Sequence, residues 1–441
     1  MSNSAASDAN PLAGLNTTKL FVLGCLCLAT TSMSFIMRTS IAQELQTQLF
    51  DPINPLTSAA QVGDALKYAF LGFAFTVLIG SALVDSLGMR NMLFMCGGCF
   101  IVGTGLAITA GGSDPGLAVK LGMFLHGLGW GFSECVINPL TTAVYPDDKT
   151  HRLNVLHAWW PGGIIIGGFL GLGVDGMNLG WRIKLGLLLL PAVIIIAMCA
   201  GTKFPKTERV AAGISNGDMF KEAIRPGFLV WFFAMFMTSA AELAPGQWVD
   251  LALSHTVGMR GVILGIYVAA LMFVMRHFAG TMVKKLSSVG LLWVSCLLAS
   301  LGLVWLSMAN SPVTGFLAAT IWGTGVCYMW PTMLAVAAER YPRGGAFLMG
   351  LIGSAGSLSI WFVLPWMGGI YDGAKIKAAG GDAAYKALDA AAKATVDAAA
   401  ATESFRFVAI LPAVLLVVFG AVWLRDRAKG GFRPVDIKAA E

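Results

Sequence analysis

The sequence predicts an all-α integral membrane protein in which twelve transmembrane helices form two parallel six-helix repeats. Only 12% of the 441 residues are charged, which is about half the share found in soluble globular proteins. Hydrophobic residues make up 56% of the chain, with 53 glycines in addition. A soluble core could not bury so much apolar surface, and the composition also excludes a disordered, collagen-like, coiled-coil or nucleic-acid-binding protein.

The apolar residues form twelve runs, each close to the roughly 20 residues that a helix needs to cross a bilayer. The runs lie at about Leu20–Met37, Leu66–Val84, Met92–Ala110, Leu117–Val144, Leu156–Val174, Leu185–Ala200, Gly227–Leu253, Val262–Val283, Leu291–Met308, Val313–Ala338, Ala346–Ile370 and Phe405–Leu424. Polar residues or Gly/Pro clusters separate them.

A basic segment divides the runs into two groups of six. We predict a cytoplasmic tail at 1–18, a first bundle at 19–202, a cytoplasmic linker at 203–225, a second bundle at 226–425 and a cytoplasmic tail at 426–441. Most Lys and Arg residues then lie on one side, which places both termini in the cytoplasm of a bacterial inner (cell) membrane protein. The Ala-rich insert 373–402 is predicted to be a solvated periplasmic helix or loop.

The two halves repeat one another. Gly80 begins GSALVDSLGMRN after the second run, and Gly280 begins GTMVKKLSSVG after the eighth. The fourth and tenth runs share a small-residue pair at the same spacing before Pro139 and Pro331. Two parallel six-helix repeats are typical of secondary transporters, whose binding site lies between the repeats near the middle of the membrane.

The loop after the second run resembles the G-x-L-x-D-x-x-G-x-[RK] signature of the major facilitator superfamily. Gly80, Leu83, Asp85, Gly88 and Arg90 occupy the signature positions. Such a pattern supplies a tight turn and a carboxylate that can cap or pair with a neighbouring helix in one conformational state. We therefore expect Asp85 with Arg90 to form a conformational latch, present in the first half only.

Two stretches resemble the fucose:proton symporter branch of that superfamily. They are ECVINP from Glu134 and ELAPGQW from Glu242. The resemblance implies proton-coupled uptake (symport) of a monosaccharide by alternating access. The first run carries Arg38 where that branch often has an acid, and an arginine there is more similar to the organic-anion branches. The candidate substrates are therefore an uncharged sugar and a sugar acid.

The fourth run carries the strongest candidate site. His126, Trp130, Glu134 and Asn138 follow one another at intervals of four, so they share one helical face. Ionisable residues inside membrane spans are costly and usually functional, which makes Glu134 the candidate proton carrier. The alternative is a structural carboxylate paired to a neighbouring helix, and His126 is as readily a packed, hydrogen-bonded histidine as a relay.

Four further residues complete the candidate substrate and proton site. Arg38 needs an acid, a ligand or the membrane interface, because arginine does not lose its charge. Glu242 precedes Pro245 and Gly246, which would free backbone groups to line a cavity or hinge. Trp322 and Trp361 lie deep in their runs, where their rings would stack on a sugar or simply pack.

Other functional classes are less well supported. A proton-antiporting exporter of small apolar compounds has the same fold, and 21 methionines suit an apolar cavity. A transport-like nutrient sensor would need an interaction domain, for which the tails are short. No P-loop, HExxH or GxSxG motif occurs, so we expect no enzyme, cofactor, metal or nucleic-acid partner. The expected partners are membrane lipid, a small polar organic solute and a proton, with sodium as an alternative ion; the family resemblance implies a monomer.

Overall fold

The computed structural model describes residues 14–53, 58–112, 114–257 and 261–437, and within these ranges the chain is helical, without strands. The first half contains α1 (Thr17–Ser40), α2 (Ala42–Leu45), a π-helix (Gln46–Phe50), α3 (Ser58–Leu66), α4 (Tyr68–Leu87), α5 (Met89–Ile108), α6 (Pro115–Val144), α7 (Lys149–Gly176), α8 (Gly180–Gly186) and α9 (Leu189–Cys199). The linker forms α10 (Glu208–Ala211) and α11 (Asn216–Ala223).

The second half contains the remaining helices. They are α12 (Pro226–Val257), α13 (Gly261–Arg276), α14 (Ala279–Leu306), α15 (Pro312–Val326), α16 (Met329–Arg340), a 3₁₀ turn (Pro342–Gly344), α17 (Gly345–Ala379), α18 (Asp382–Ala387) and α19 (Ala390–Ala428). In the described part of the chain, eight helices are long and apolar enough to cross a membrane. The other four predicted spans, the fourth, eighth, tenth and eleventh, are also helical and fall on α6, α13 with the start of α14, α15–α16, and α17.

Helix starts follow local capping chemistry. The Asn16 side chain accepts a hydrogen bond from the Lys19 amide at 2.9 Å and caps α1. Ser311 and Thr314 form a capping box at α15, with Pro312 in its first turn. Both devices satisfy amides that have no partner inside the helix.

Several predicted spans are interrupted. The eighth breaks after Arg276, and the turn into the ninth is made at Ser287, whose φ of 64° leaves the helical region. The tenth divides between α15 and α16 just before Pro331, and the sixth divides into α8 and α9. Proline removes a helical hydrogen bond and crowds the preceding turn, so a break close to Pro331 has a local cause.

A glycine ridge lets α7 approach α1 within the first half, as its spacing predicts. A methyl group added at Gly163 would lie 2.0 Å from Ser32 Oγ, and one at Gly167 would lie 2.7 Å from the Ile36 side chain. The helices touch where these glycines leave no side chain between them, so the ridge packs α7 against α1 within the first half.

The Ala-rich insert is helical. α17 continues through Ala379, the chain turns at Gly380 and Gly381 with φ of 81° and 128°, and α19 begins at Ala390 and runs on into the last span. Positive φ at two successive positions suits glycine, which has no Cβ to clash with the backbone. The insert is thus a helical extension of the last two spans.

Candidate functional site

Glu134 lies on α6 in the middle of the bundle and is 9% exposed. Its Oε1 accepts a hydrogen bond from Asn138 Nδ2 at 2.9 Å, and Asn138 Oδ1 lies 2.9 Å from His157 Nε2 on α7. A polar chain therefore connects α6 to α7.

Arg276 supplies the matching group on the second half. Its guanidinium donates to Glu242 Oε1 at 3.2 Å and to the Cys327 carbonyl at 2.7 Å. It also crosses between the halves and donates to the His157 carbonyl at 2.6 Å. Arg276 and Glu242 are 2% and 9% exposed, so this is a buried ion pair with further hydrogen bonds.

The two central carboxylates thus belong to one connected assembly. Glu134 connects through Asn138 and His157 to Arg276 and then to Glu242. Among the described residues, Glu242 Oε2 has no hydrogen-bond partner. The assembly joins the halves near the centre and keeps one carboxylate oxygen free to accept a hydrogen bond.

Arg38 does not pair with Glu134 but lies beside Trp130, one helical turn away from Glu134 on α6. Its Nη1 donates to the Leu66 carbonyl at 2.8 Å, and its guanidinium carbon lies 5.2, 4.7 and 5.3 Å from the ring centres of Phe35, Phe70 and Trp130. The side chain is 5% exposed, so it does not extend to the membrane interface as one of the sequence alternatives expected.

His126 does not join Glu134. Its Nδ1 lies 3.0 Å from Ser34 Oγ and its Nε2 lies 3.0 Å from Thr104 Oγ1, and the side chain is fully buried. Both nitrogens are held between α1, α5 and α6, which is the packed, hydrogen-bonded alternative. The four-residue spacing is real, but the neighbours of α6 change along its 30 residues.

The structure describes the side chain of one of the two remaining candidate tryptophans, Trp322. Trp322 is 4% exposed and its Nε1 donates to the Ala241 carbonyl at 3.2 Å, which joins α15 to α12 inside the second half. The structure therefore places Trp322 in helix packing and not against Glu134. The side chain of Trp361 lies outside the described residues, so its assignment stays a prediction.

Asp85 does not pair with Arg90 in the observed structure. Asp85 pairs with Arg209 on α10 of the linker and accepts a hydrogen bond from Thr207 at 2.6 Å. Arg90 instead lies over the Phe94 ring at 5.5 Å. Gly88 makes the tight turn that the motif predicts, with a φ of 81°, and this turn carries Arg90 onto α5 and away from Asp85.

Gly80 serves close packing of α4 on α6. A methyl group there would lie 3.1 Å from Cys135 Sγ and 3.2 Å from the end of Met92. The glycine therefore holds the signature loop close to the helix that carries Glu134.

Contacts between the halves concentrate on the side of the bundle that carries the linker, which we call the linker face. Thr150 of α7 donates to Glu339 Oε1 of α16 at 2.5 Å, and its hydroxyl lies 3.0 Å from Ser288 Oγ of α14. The Gly280 amide donates to His151 Nδ1 at 3.1 Å. With the central assembly, these bonds close the linker face.

Two charge pairs attach the linker to the first half. Lys149 at the start of α7 pairs with Glu208 of α10 at 2.8 Å. Burial raises the pKa of the Glu208 carboxyl, and the Lys149 ammonium opposes that rise. Asp85–Arg209 and Lys149–Glu208 together attach one short helix to both α4 and α7.

Sequence reasoning missed the partners of the central carboxylates. The contact of Arg276 with Glu242 does not follow from the sequence pattern. The signal that was present is that Arg276 is an arginine inside an apolar run, and a buried arginine needs an acceptor. Among the described residues, no group of three or more His, Cys, Asp or Glu side chains could hold a metal ion.

The fold and this arrangement agree with a match to a family model. Residues 20–363 match the model described as Major Facilitator Superfamily. The chain belongs to the major facilitator superfamily. It is therefore an integral, multi-pass membrane transporter and not an enzyme.

Solved structures share this fold at low sequence identity. FucP in the outward conformation has a TM-score of 0.70 and 15% identity, covering 91% of this chain and 98% of that one; another structure names FucP as the fucose:proton symporter of E. coli. The proton:xylose symporter XylE, bound to 6-bromo-6-deoxy-D-glucose, has a TM-score of 0.69 and 14% identity, covering 92% and 99% of the two chains.

A curated relative matches over a shorter stretch. Myo-inositol transporter 1 of Saccharomyces cerevisiae is 26% identical over 151 residues, which is 34% of this chain and 24% of that transporter. The chain thus matches about a quarter of this relative's length.

Proposed function

We propose that the protein is a proton-coupled symporter that takes up a monosaccharide or sugar acid by alternating access. The observation that carries the proposal is the hydrogen-bonded assembly between the halves, in which Glu134 and Glu242 are joined through Asn138, His157 and Arg276. Carboxylates in the middle of a membrane protein are suited to take and release protons, and this assembly belongs to both moving halves.

The chemistry of the centre suits a polar solute. Glu242 Oε2 and the Ser239 hydroxyl are buried without partners, and each can bind a sugar hydroxyl. The fucose, xylose and inositol named for the similar proteins are polyhydroxylated solutes. An exporter of apolar compounds would need a less polar centre than these groups provide.

Alternating access requires some of the contacts between the two halves to break. In the observed state the linker face is closed by the Thr150–Glu339 and Gly280–His151 contacts, so solute would enter from the opposite side. Binding of solute and proton must favour the rearranged state over this one, because a ligand shifts an equilibrium only by its differential affinity. Opening the linker face then requires that Arg276 leave the His157 carbonyl.

The orientation is part of the proposal. Cytoplasmic termini in a bacterial inner membrane would place the linker face in the cytoplasm, so that the observed state faces outward. The chain would work as a monomer with a proton as the coupling ion.

Uptake into reconstituted vesicles tests the proposal. Radiolabelled fucose, xylose, glucose, inositol and the corresponding sugar acids are offered with and without an inward proton gradient, and with a protonophore. We expect a member of the panel to accumulate only with the gradient.

The Glu134→Gln variant separates coupling from binding. It should abolish accumulation while retaining exchange of labelled for unlabelled solute, because only the proton step needs an ionisable group. Glu403→Gln, at an exposed position on α19, is the matched control and should accumulate solute normally. Proton-driven accumulation that persists in Glu134→Gln would refute the proton role, and sodium dependence would reassign the ion.

A further inference from the structure

Arg38 carries a buried charge without a counter-charge. The side chain is 5% exposed, and within the described residues its hydrogen bonding is limited to the Leu66 carbonyl at 2.8 Å. Its Nε is buried and has no acceptor among the residues that the structure describes. No carboxylate of the described chain pairs with it, whereas buried Lys184 pairs with both Glu44 and Asp175 at 2.9 and 2.6 Å.

A second orphan donor lies beside it. Trp130 is 3% exposed, and its ring centre is 5.3 Å from the Arg38 guanidinium carbon. Its Nε1 is buried, and no described residue accepts a hydrogen bond from it. Two adjacent buried donors that both lack an acceptor are unusual, because buried polar groups are nearly always hydrogen-bonded.

Three ways of satisfying a buried arginine can be compared. Losing the proton is not open to a guanidinium, and the side chain does not extend to the membrane surface. The rings of Phe35, Phe70 and Trp130 stabilise the cation from their faces, but they accept none of its in-plane N–H groups. What is missing is an acceptor in the guanidinium plane, and a carboxylate has that geometry.

We infer that Arg38 and Trp130 form a carboxylate-binding subsite, so that the transported solute is an acidic sugar; this rests on the proposed function. Trp130 and Glu134 are four residues apart on α6, which is ~6 Å along the helix axis. A sugar acid of six carbons can therefore place its carboxylate against Arg38 and Trp130 while its hydroxyls approach Glu134.

Direct binding to the purified protein tests the inference without transport. The thermal midpoint in detergent is measured with increasing D-glucuronate and, in parallel, D-glucose, and the comparison is repeated with D-galacturonate and D-galactose. We expect the acid of a pair to bind at least about tenfold more tightly than its neutral partner, as a charge-assisted hydrogen bond would provide.

Variants of Arg38 and Trp130 test whether these two residues cause the preference for the acid over the neutral sugar. Arg38→Gln should weaken binding of the acid by about tenfold to a hundredfold and bring it close to that of the neutral sugar. Trp130→Phe keeps an aromatic ring but removes the N–H donor, so it should weaken binding of the acid by a smaller factor. This variant tests the subsite even where Arg38→Gln fails to fold. Arg406→Gln, at a half-exposed position, is the control and should leave both affinities unchanged.

The outcomes separate the subsite from the transport mechanism. Equal binding of acid and neutral sugar, or an acid preference that survives both Arg38→Gln and Trp130→Phe, would overturn the inference. Proton-driven uptake of neutral sugars without the acids would overturn it as well and leave the proposed function standing. Acid binding that depends on Arg38, found without any proton-driven uptake, would support the subsite and refute the symport.

Discussion

Removing the Arg276 guanidinium should destabilise the protein strongly. Arg276 donates hydrogen bonds at 2.6, 2.7 and 3.2 Å to the His157 carbonyl, the Cys327 carbonyl and Glu242. Breaking a buried ion pair from one side typically costs about 3–5 kcal/mol, because the partner charge is left uncompensated. We expect Arg276→Gln to lose about that amount, with part of the loss coming from the contact between the halves.

A double-mutant cycle measures the coupling. Arg276→Gln, Glu242→Gln and the double variant are unfolded with SDS in mixed micelles and followed by tryptophan fluorescence. Each single variant leaves one buried charge unpaired, whereas the double variant leaves none. The double variant should therefore lose less stability than the two single losses combined, by at least about 1 kcal/mol.

The cycle can refute the reasoning. Additive losses would mean that Arg276 and Glu242 do not interact energetically. A loss below about 1 kcal/mol for Arg276→Gln would mean that the central contacts contribute little to stability. Arg406→Gln is the matched control, since an exposed pair such as Arg406–Glu403 at 3.9 Å should contribute at most about 1 kcal/mol.

Two further predictions concern the latch and the glycine ridge. Asp85→Asn removes the charge that pairs with Arg209 and should open the linker face more often, which maleimide labelling of a cysteine introduced at Thr142 would report; unchanged labelling would exclude a latch role. Gly163→Ala places a methyl group 2.0 Å from Ser32 Oγ and should cost about 1–3 kcal/mol through overpacking. Gly168→Ala has nothing within 4 Å and should be neutral or stabilising by up to about 1 kcal/mol, so equal effects at the two glycines would contradict the close contact of α1 and α7.

Much of the architecture could be predicted because it depends on composition and local pattern. Run lengths correspond to helices, the repeated motif marks equivalent turns, and Gly88 adopts the positive φ that the signature requires. The Gly163 ridge packs inside its own half for the same reason: small residues on one face specify a close neighbour.

The partners inside the site could not be predicted because periodicity identifies a helical face but not what lies opposite it. Asp85 and Arg209 are separated by 124 residues, and the short helix that brings them together is a feature of the linker fold. Glu134 and His126 have the spacing of one face, yet they meet different helices. Arg276 finds Glu242 only after α12 and α13 pack together.

The length of the last two spans has a practical consequence. α17 contains 35 residues and α19 contains 39, so at ~1.5 Å per residue they are ~52 and ~58 Å long, well beyond a hydrocarbon core of ~30 Å. Their continuous backbones carry the insert rigidly with the second half. A rotation of that half would therefore displace the tip of the insert farther than it displaces the helices inside the membrane. An antibody fragment bound there would add mass for particle alignment in electron microscopy. A fluorophore attached at the same place would report distance changes during transport.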